Sequence, residues 1–77
     1  MMRPEDIKEL LHKQPFRPFR IHLSDGRAFD VRHPEFVLVL RSRLVIGLPE
    51  TSPNTVPDRA EYCSLLHIVS VEELQAA

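Results

Sequence analysis

The chain has no tryptophan, only two glycines and one cysteine among its 77 residues, and each scarcity excludes something. A lone cysteine, Cys63, rules out an intramolecular disulfide framework and suits a reducing compartment, so a cytoplasmic location is expected. Gly26 and Gly47 stand apart, so there is no GxGxxG or GxxxxGKS/T loop to cradle a phosphate. With four Phe and one Tyr as the whole aromatic complement, the core must rest on Val, Leu and Ile. No segment approaches the roughly 18 uninterrupted apolar residues of a membrane span. Met1-Met2-Arg3-Pro4-Glu5-Asp6 likewise lacks the apolar run of a secretory signal, and no membrane partner is expected.

Charge of one sign is also missing. The net charge of −1 argues against a polycation built to coat nucleic acid, but the charge is unevenly placed. Residues 17–43 carry six arginines against Asp25, Asp30 and Glu35. Residues 44–77 carry Arg59 against Glu50, Asp58, Glu61, Glu72 and Glu73. Arginine grips phosphate and carboxylate bidentately and stacks on bases, so the first of these halves is the candidate anion-binding face. Arg27 at a turn, and Arg41 and Arg43 between two strands, are expected to reach a ligand most freely, with Arg17 beside them.

What is present reads as a small β-rich single domain over residues 1–77. Pro4 suits the first turn of a helix, Glu5 and Asp6 complement its positive end, and Ile7, Leu10 and Leu11 form an i, i+3, i+4 stripe. A helix over 4–14 is expected, ended by Pro15 and stable only when docked. Pro15-Phe16-Arg17-Pro18 links it rigidly to the first strand.

Two β-hairpins are expected over 17–48. In the first, apolar alternation flanks Asp25-Gly26. A two-residue turn there would set Ile21 opposite Asp30, a carboxylate among apolar neighbours. A three-residue loop, Ser24-Asp25-Gly26 with Gly26 left-handed as a bulge, sets Ile21 against Phe29 and Phe19 against Val31, and is expected instead. It also places Arg20 across from Asp30. His33-Pro34-Glu35 is a turn. Phe36-Val37-Leu38-Val39-Leu40 is apolar on both faces, as for a strand in the wall of a closed barrel, or one covered by a helix or a neighbouring subunit. Leu44-Val45-Ile46-Gly47-Leu48 is its hairpin partner. Residues 49–60, with Pro49, Pro53 and Pro57, read as a mobile loop. The closing strands fall in 61–74 and break at a corner near Leu65-Leu66-His67. The expected fold class is mainly β with one N-terminal helix, a small five-stranded barrel of the SH3-like or Sm-like kind. A chain of this size buries only about 60 to 65% of its unfolded surface, so oligomerisation would relieve a marginal core.

Catalysis finds little to work with. His12, His22, His33 and His67 show no HExxH spacing, Glu72-Glu73 has no partner acid, and Cys63 and His67 fall in strand or corner. No catalytic, cofactor or metal residue is assigned, and His22 reads as a surface residue.

Phe19 to Arg27, with its alternation into Asp-Gly, resembles the first hairpin of the bacterial Sm-like proteins of the Hfq type. Pro34 to Arg41 looks like their third strand, and Tyr62-Cys63-Ser64-Leu65-Leu66-His67-Ile68-Val69 is similar to their closing segment. The resemblance implies an N-terminal helix, a bent five-stranded barrel and a ring of copies. It further implies a non-enzymatic binding module with single-stranded RNA as its ligand, for which Phe36 and Tyr62 are the stacking candidates beside the arginines. The chain departs from that family with Cys63-Ser64 in place of a Lys-His pair, Val31 in place of a bending glycine, and a longer loop. Those departures leave a protein-interaction or structural barrel without nucleic-acid binding as the alternative. The Pro-Phe-Arg-Pro-Phe opening also resembles that of short bacterial proteins with no assigned activity.

Overall fold

A computed structural model describes residues 2–48, 57 and 59–74. Among these described residues one helix is followed by six strands: α1 (Pro4–Leu11), β1 (Phe19–Leu23), β2 (Ala28–Val31), β3 (Val37–Val39), β4 (Arg43–Leu48), β5 (Arg59–Ser64) and β6 (Ile68–Glu73). They form two antiparallel sheets of three strands, in the orders β2-β1-β6 and β3-β4-β5. Instead of one closed barrel, the ladders of the described residues make these two sheets. The ladder breaks at two corners, where 3-10 turns at Pro34–Phe36 and Leu65–His67 carry the chain from one sheet to the other. The closing segment expected over 61–74 is therefore two strands in different sheets, and its first strand starts earlier, at Arg59.

The helix ends at Leu11, three residues short of the sequence expectation. Pro15 disfavours helical backbone at Gln14, and His12 already closes the last turn by donating its N–H to the Lys8 carbonyl at 3.0 Å. At the other end Pro4 fills the first position, and an Asp6 carboxylate oxygen accepts from the Arg3 N–H at 3.0 Å. Ile7 and Leu11 are buried and Leu10 packs against the core, so the apolar stripe docks as its spacing required.

The β1–β2 register is Phe19↔Val31, Arg20↔Asp30, Ile21↔Phe29 and His22↔Ala28, which leaves Ser24-Asp25-Gly26 as a three-residue loop. Leu23 N–H donates to the Arg27 carbonyl at 2.9 Å, Gly26 N–H donates to the Leu23 carbonyl at 3.0 Å, and Gly26 sits at φ +91°. Pairing Ile21 with Phe29 keeps the apolar side chains on one face, and only glycine accepts the loop's last backbone position at no cost.

The core is Ile7, Phe19, Ile21, Leu44, Ile46 and Cys63, all essentially inaccessible, ringed by Leu11, Leu23, Val31, Leu65 and Ile68. No polar or charged residue is buried among the described residues. Branched aliphatics dominate, as the aromatic scarcity demanded. β3 departs from expectation: Val37 and Val39 turn toward the core, but Leu38 is 59% and Leu40 40% exposed. Among the described residues Leu38 and Leu40 on the outer face of that strand stay exposed. Most of the loop expected over 49–60 lies outside the described residues, and Arg59 and Ala60 belong to β5.

Candidate functional site

Three of the six arginines of residues 17–43 are held by carboxylates. Arg20 Nε donates to Asp30 Oδ1 at 2.6 Å and Nη2 to Oδ2 at 3.1 Å, a bidentate pair set by the register, and Arg32 reaches the same carboxylate at 3.5 Å. The Arg20 hydrogen bond holds the Asp30 carboxyl below its ordinary value. Arg27 was expected to be free and is not. The loop geometry directs the Asp25 carboxylate back onto it, accepting from the Arg27 backbone N–H at 3.0 Å and from Nε at 2.8 Å. Glu61 on β5 approaches Arg27 Nη1 at 3.5 Å, and the guanidinium lies 5.6 Å from the Phe29 ring centroid. The backbone hydrogen bond from Arg27 is the main reason that the Asp25 carboxyl is held below its usual range.

Arg17, Arg41 and Arg43 are exposed and form no ion pair with a described residue. Arg41 and Arg43 flank the tip of the β3–β4 hairpin and diverge from it. Arg43 borders a recess of about 250 Å³ with Ser42, Tyr62 and Ser64, whereas Arg41 borders one of about 280 Å³ with Pro4, Lys8 and Leu40 on the α1 side. Tyr62 is 63% exposed on the outer face of β5. Phe36 is half-buried in the 3-10 turn at the far end of β3, its ring 5.2 Å from His33. Of the six residues picked out from the sequence, the fold brings Arg43 and Tyr62 together, sets Arg41 on the other side of the tip, and leaves Arg17, Arg27 and Phe36 elsewhere.

Side chains that the arginine search missed make a more coherent surface. The β3–β4–β5 register aligns Leu38, Val45 and Tyr62 in one cross-strand row on the outer face of that sheet, with Leu40 and Arg43 in the next row. The signal was present in the unbroken apolar run Phe36 to Leu40, whose second face had to meet something. Leu66, 72% exposed, and Val69, 63% exposed in a bulge of β6, form a separate apolar spot beyond the second corner.

Cys63 and His67 do not meet. The Cys63 thiol is buried, its pKa pushed up by desolvation, and its nearest polar contact is the Ser64 carbonyl at 3.8 Å. His67 is exposed and turns its Nδ1 toward Ser24 Oγ at 3.4 Å. His22, on the outer face of β1, pairs with Glu72 at 2.9 Å. Among the described residues no group of three His, Cys, Asp or Glu side chains could hold a metal ion, and no helix is long and apolar enough to cross a membrane. Comparison with known proteins finds no matching family model, no similar curated protein and no similar solved structure. The Sm-like resemblance therefore rests on the motifs quoted for it.

Proposed function

We propose that this chain is a non-enzymatic interaction module that self-associates through the outer face of its β3-β4-β5 sheet. The observation that carries the reading is the row Leu38, Val45 and Tyr62 with Leu40 beside it, in which Leu38 is 59%, Tyr62 63% and Leu40 40% exposed. Soluble monomers rarely leave contiguous apolar patches uncovered, and covering one on a sheet face is how a small, marginal core gains buried area. Among the described residues both sheets also end in strands with one unpaired edge, which suits assembly. The finer fold reading, a small SH3-like or Sm-like barrel, is supported by the order of strands across the two corners, with β2 leading into β3 and β5 into β6. A reducing, cytoplasmic setting belongs to the same reading and is supported by the free thiol of Cys63.

Sedimentation velocity from low to high micromolar concentration tests it. The expected result is a mass above that of the monomer that rises with concentration, and a return to monomer in Tyr62→Ser and Leu38→Ser, whose urea midpoints no longer depend on protein concentration. A monomer mass independent of concentration overturns the proposal.

Single-stranded RNA is the second reading, favoured by one observation: Tyr62 stands exposed next to Arg43, and Arg41 and Arg43 form no ion pair with a described residue. A titration with short oligo-A and oligo-U then gives a log-log salt slope of about −0.7 per neutralised phosphate. Arg41→Ala with Arg43→Ala weakens binding more than Arg20→Ala, whose side chain is already held by Asp30. Absence of binding at low salt removes this reading and leaves the first untouched.

A further inference from the structure

We propose that the channel between α1 and the open edge of β3 binds an extended peptide segment bearing a carboxylate, taking it up as a fourth strand of the second sheet. The channel adjoins the outer face described above and shares Leu38 and Leu40 with it, whereas Val45 and Tyr62 do not line it, and the inference deepens the interaction-module reading by naming a partner class.

Among the described residues the edge is open, because β3 is a terminal strand in the order β3-β4-β5. Leu40 N–H donates to the Arg43 carbonyl at 2.9 Å, so in the alternation of an antiparallel ladder the pairs 40/43 and 38/45 are the hydrogen-bonded ones. The N–H and C=O of Val39 therefore point away from β4, and no backbone hydrogen bond to another element takes them. Val37 also faces outward, but its N–H is satisfied by the Pro34 carbonyl, which leaves its own carbonyl unclaimed. Along one short strand stand an acceptor at 37 and a donor and acceptor at 39.

A wall faces these groups. An open groove of about 640 Å³ runs between Lys8 and Leu11 of α1, with His12 just past its end, and Val37 to Val39 of β3. A second recess, about 280 Å³, lies between Lys8 and Leu40 and shares Lys8 and Val39 with the first. The two adjoin at Lys8 and Val39 and follow the strand one after the other as the channel. Its floor is apolar, formed by Leu11 with the half-buried Val37 and Val39.

The chemistry selects the occupant. Unpaired N–H and C=O groups at strand spacing are matched by a chain that offers both alternately at about 3.3 Å per residue, which is an extended polypeptide. The apolar floor takes alternate side chains of the added strand. Lys8 at the junction and Arg41 at one mouth form no ion pair with a described residue, so a carboxylate on the peptide completes the charge there. A nucleic acid has no alternating backbone donors and acceptors to offer this edge.

The test screens a phage-displayed random heptapeptide library on the immobilised full chain. An enriched peptide is then synthesised and titrated into isotope-labelled protein. The expected enriched sequences alternate apolar residues and include Asp or Glu. At saturation, hydrogen exchange at the Val39 amide slows by about tenfold or more, while that at the Leu38 amide, already bonded to β4, changes little. Val39→Pro abolishes binding without removing a β3–β4 hydrogen bond, because its N–H faces the channel. Lys8→Glu, which does not touch the strand, weakens binding by about tenfold if one charge-assisted contact is lost. Tyr62→Ser keeps the peptide affinity even where it abolishes self-association, which separates the two proposals.

Several results overturn the inference. They are failure to enrich any peptide, binding that survives Val39→Pro, shifts confined to the β5 amides, and protection of Val39 that rises with protein concentration alone. The last would place a second copy in the channel. Short oligo-U that protects the Val39 amide where no peptide does would assign the channel to RNA and overturn it equally.

Discussion

Replacing Gly26 isolates the cost of a backbone conformation, because nothing else at that position changes. Gly26 sits at φ +91°, and a Cβ built on it meets no heavy atom within 4 Å. Gly26→Ala therefore loses no packing and makes no clash; the penalty is the unfavourable left-handed backbone of an L-residue, about 1 to 2 kcal/mol. A chain of this length has a total stability of roughly 4 to 11 kcal/mol, so the loss is a large fraction of it. With a urea m-value of about 1 kcal/mol/M for so small a domain, the unfolding midpoint falls by roughly 1 to 2 M at constant m. Two controls fix the cause. Gly26→Asn recovers part of the loss, because asparagine visits this region more readily than alanine. D-alanine, introduced by chemical synthesis, gains about 0.4 to 1 kcal/mol over glycine, because it fits the native φ and restricts the unfolded chain. An alanine variant as stable as wild type, or L- and D-alanine with equal effects, would refute the three-residue bulged loop as the feature that sets the β1–β2 register. Asp25→Ala destabilises by less, since the Asp25 carboxylate and its contacts to Arg27 are solvent-exposed.

The second glycine separates sterics from backbone freedom. A Cβ at Gly47 would lie 2.7 and 2.9 Å from Pro57 ring carbons and 3.4 Å from the Phe36 carbonyl oxygen, so Gly47→Ala costs about 1 to 3 kcal/mol by overpacking. Urea unfolding of Gly47→Ala with Pro57→Ala recovers part of that loss if the ring is the obstacle. Acid weakens the fold through carboxyls whose native pKa values are depressed: Asp30 by its hydrogen bond from Arg20, Asp25 chiefly by the backbone hydrogen bond from Arg27, and Glu73 by its hydrogen bond from Lys13. Their stabilisation is fully present above the unfolded values of about 4 and is lost as pH falls through the lower native values. The urea midpoint accordingly drops between about pH 5 and pH 2, and Asp30→Asn shows a shallower drop; an equal drop in that variant contradicts the assignment. Cys63, desolvated and with a raised pKa, reacts with iodoacetamide in native protein at least about a hundredfold more slowly than in urea-unfolded protein, read by intact mass; equal rates would mean an accessible thiol.

Local chemistry set what the sequence by itself determined. Period-two apolar alternation admitted one register around Asp25-Gly26, because a slip of one residue would have put Asp30 against Ile21, and the observed pairs are those that avoid it. The i, i+3, i+4 stripe of α1 and the corner near Leu65 to His67 were readable for the same reason: each depends on neighbours a few residues apart. Which arginines remain unpaired was decided only in three dimensions. Arg20 could be paired with Asp30 from the register alone. Arg27 meets Glu61 across 34 residues of chain, a contact that exists only once β5 has come to lie beside the first hairpin. The two faces of β3 were equally apolar in sequence, and burial of Val37 and Val39 with exposure of Leu38 followed from which side the core and α1 occupied. The open edge beside α1 was likewise invisible along the chain. A strand's hydrogen-bonding groups are the same in every residue, and only the sheet order determines which of them are left without a partner.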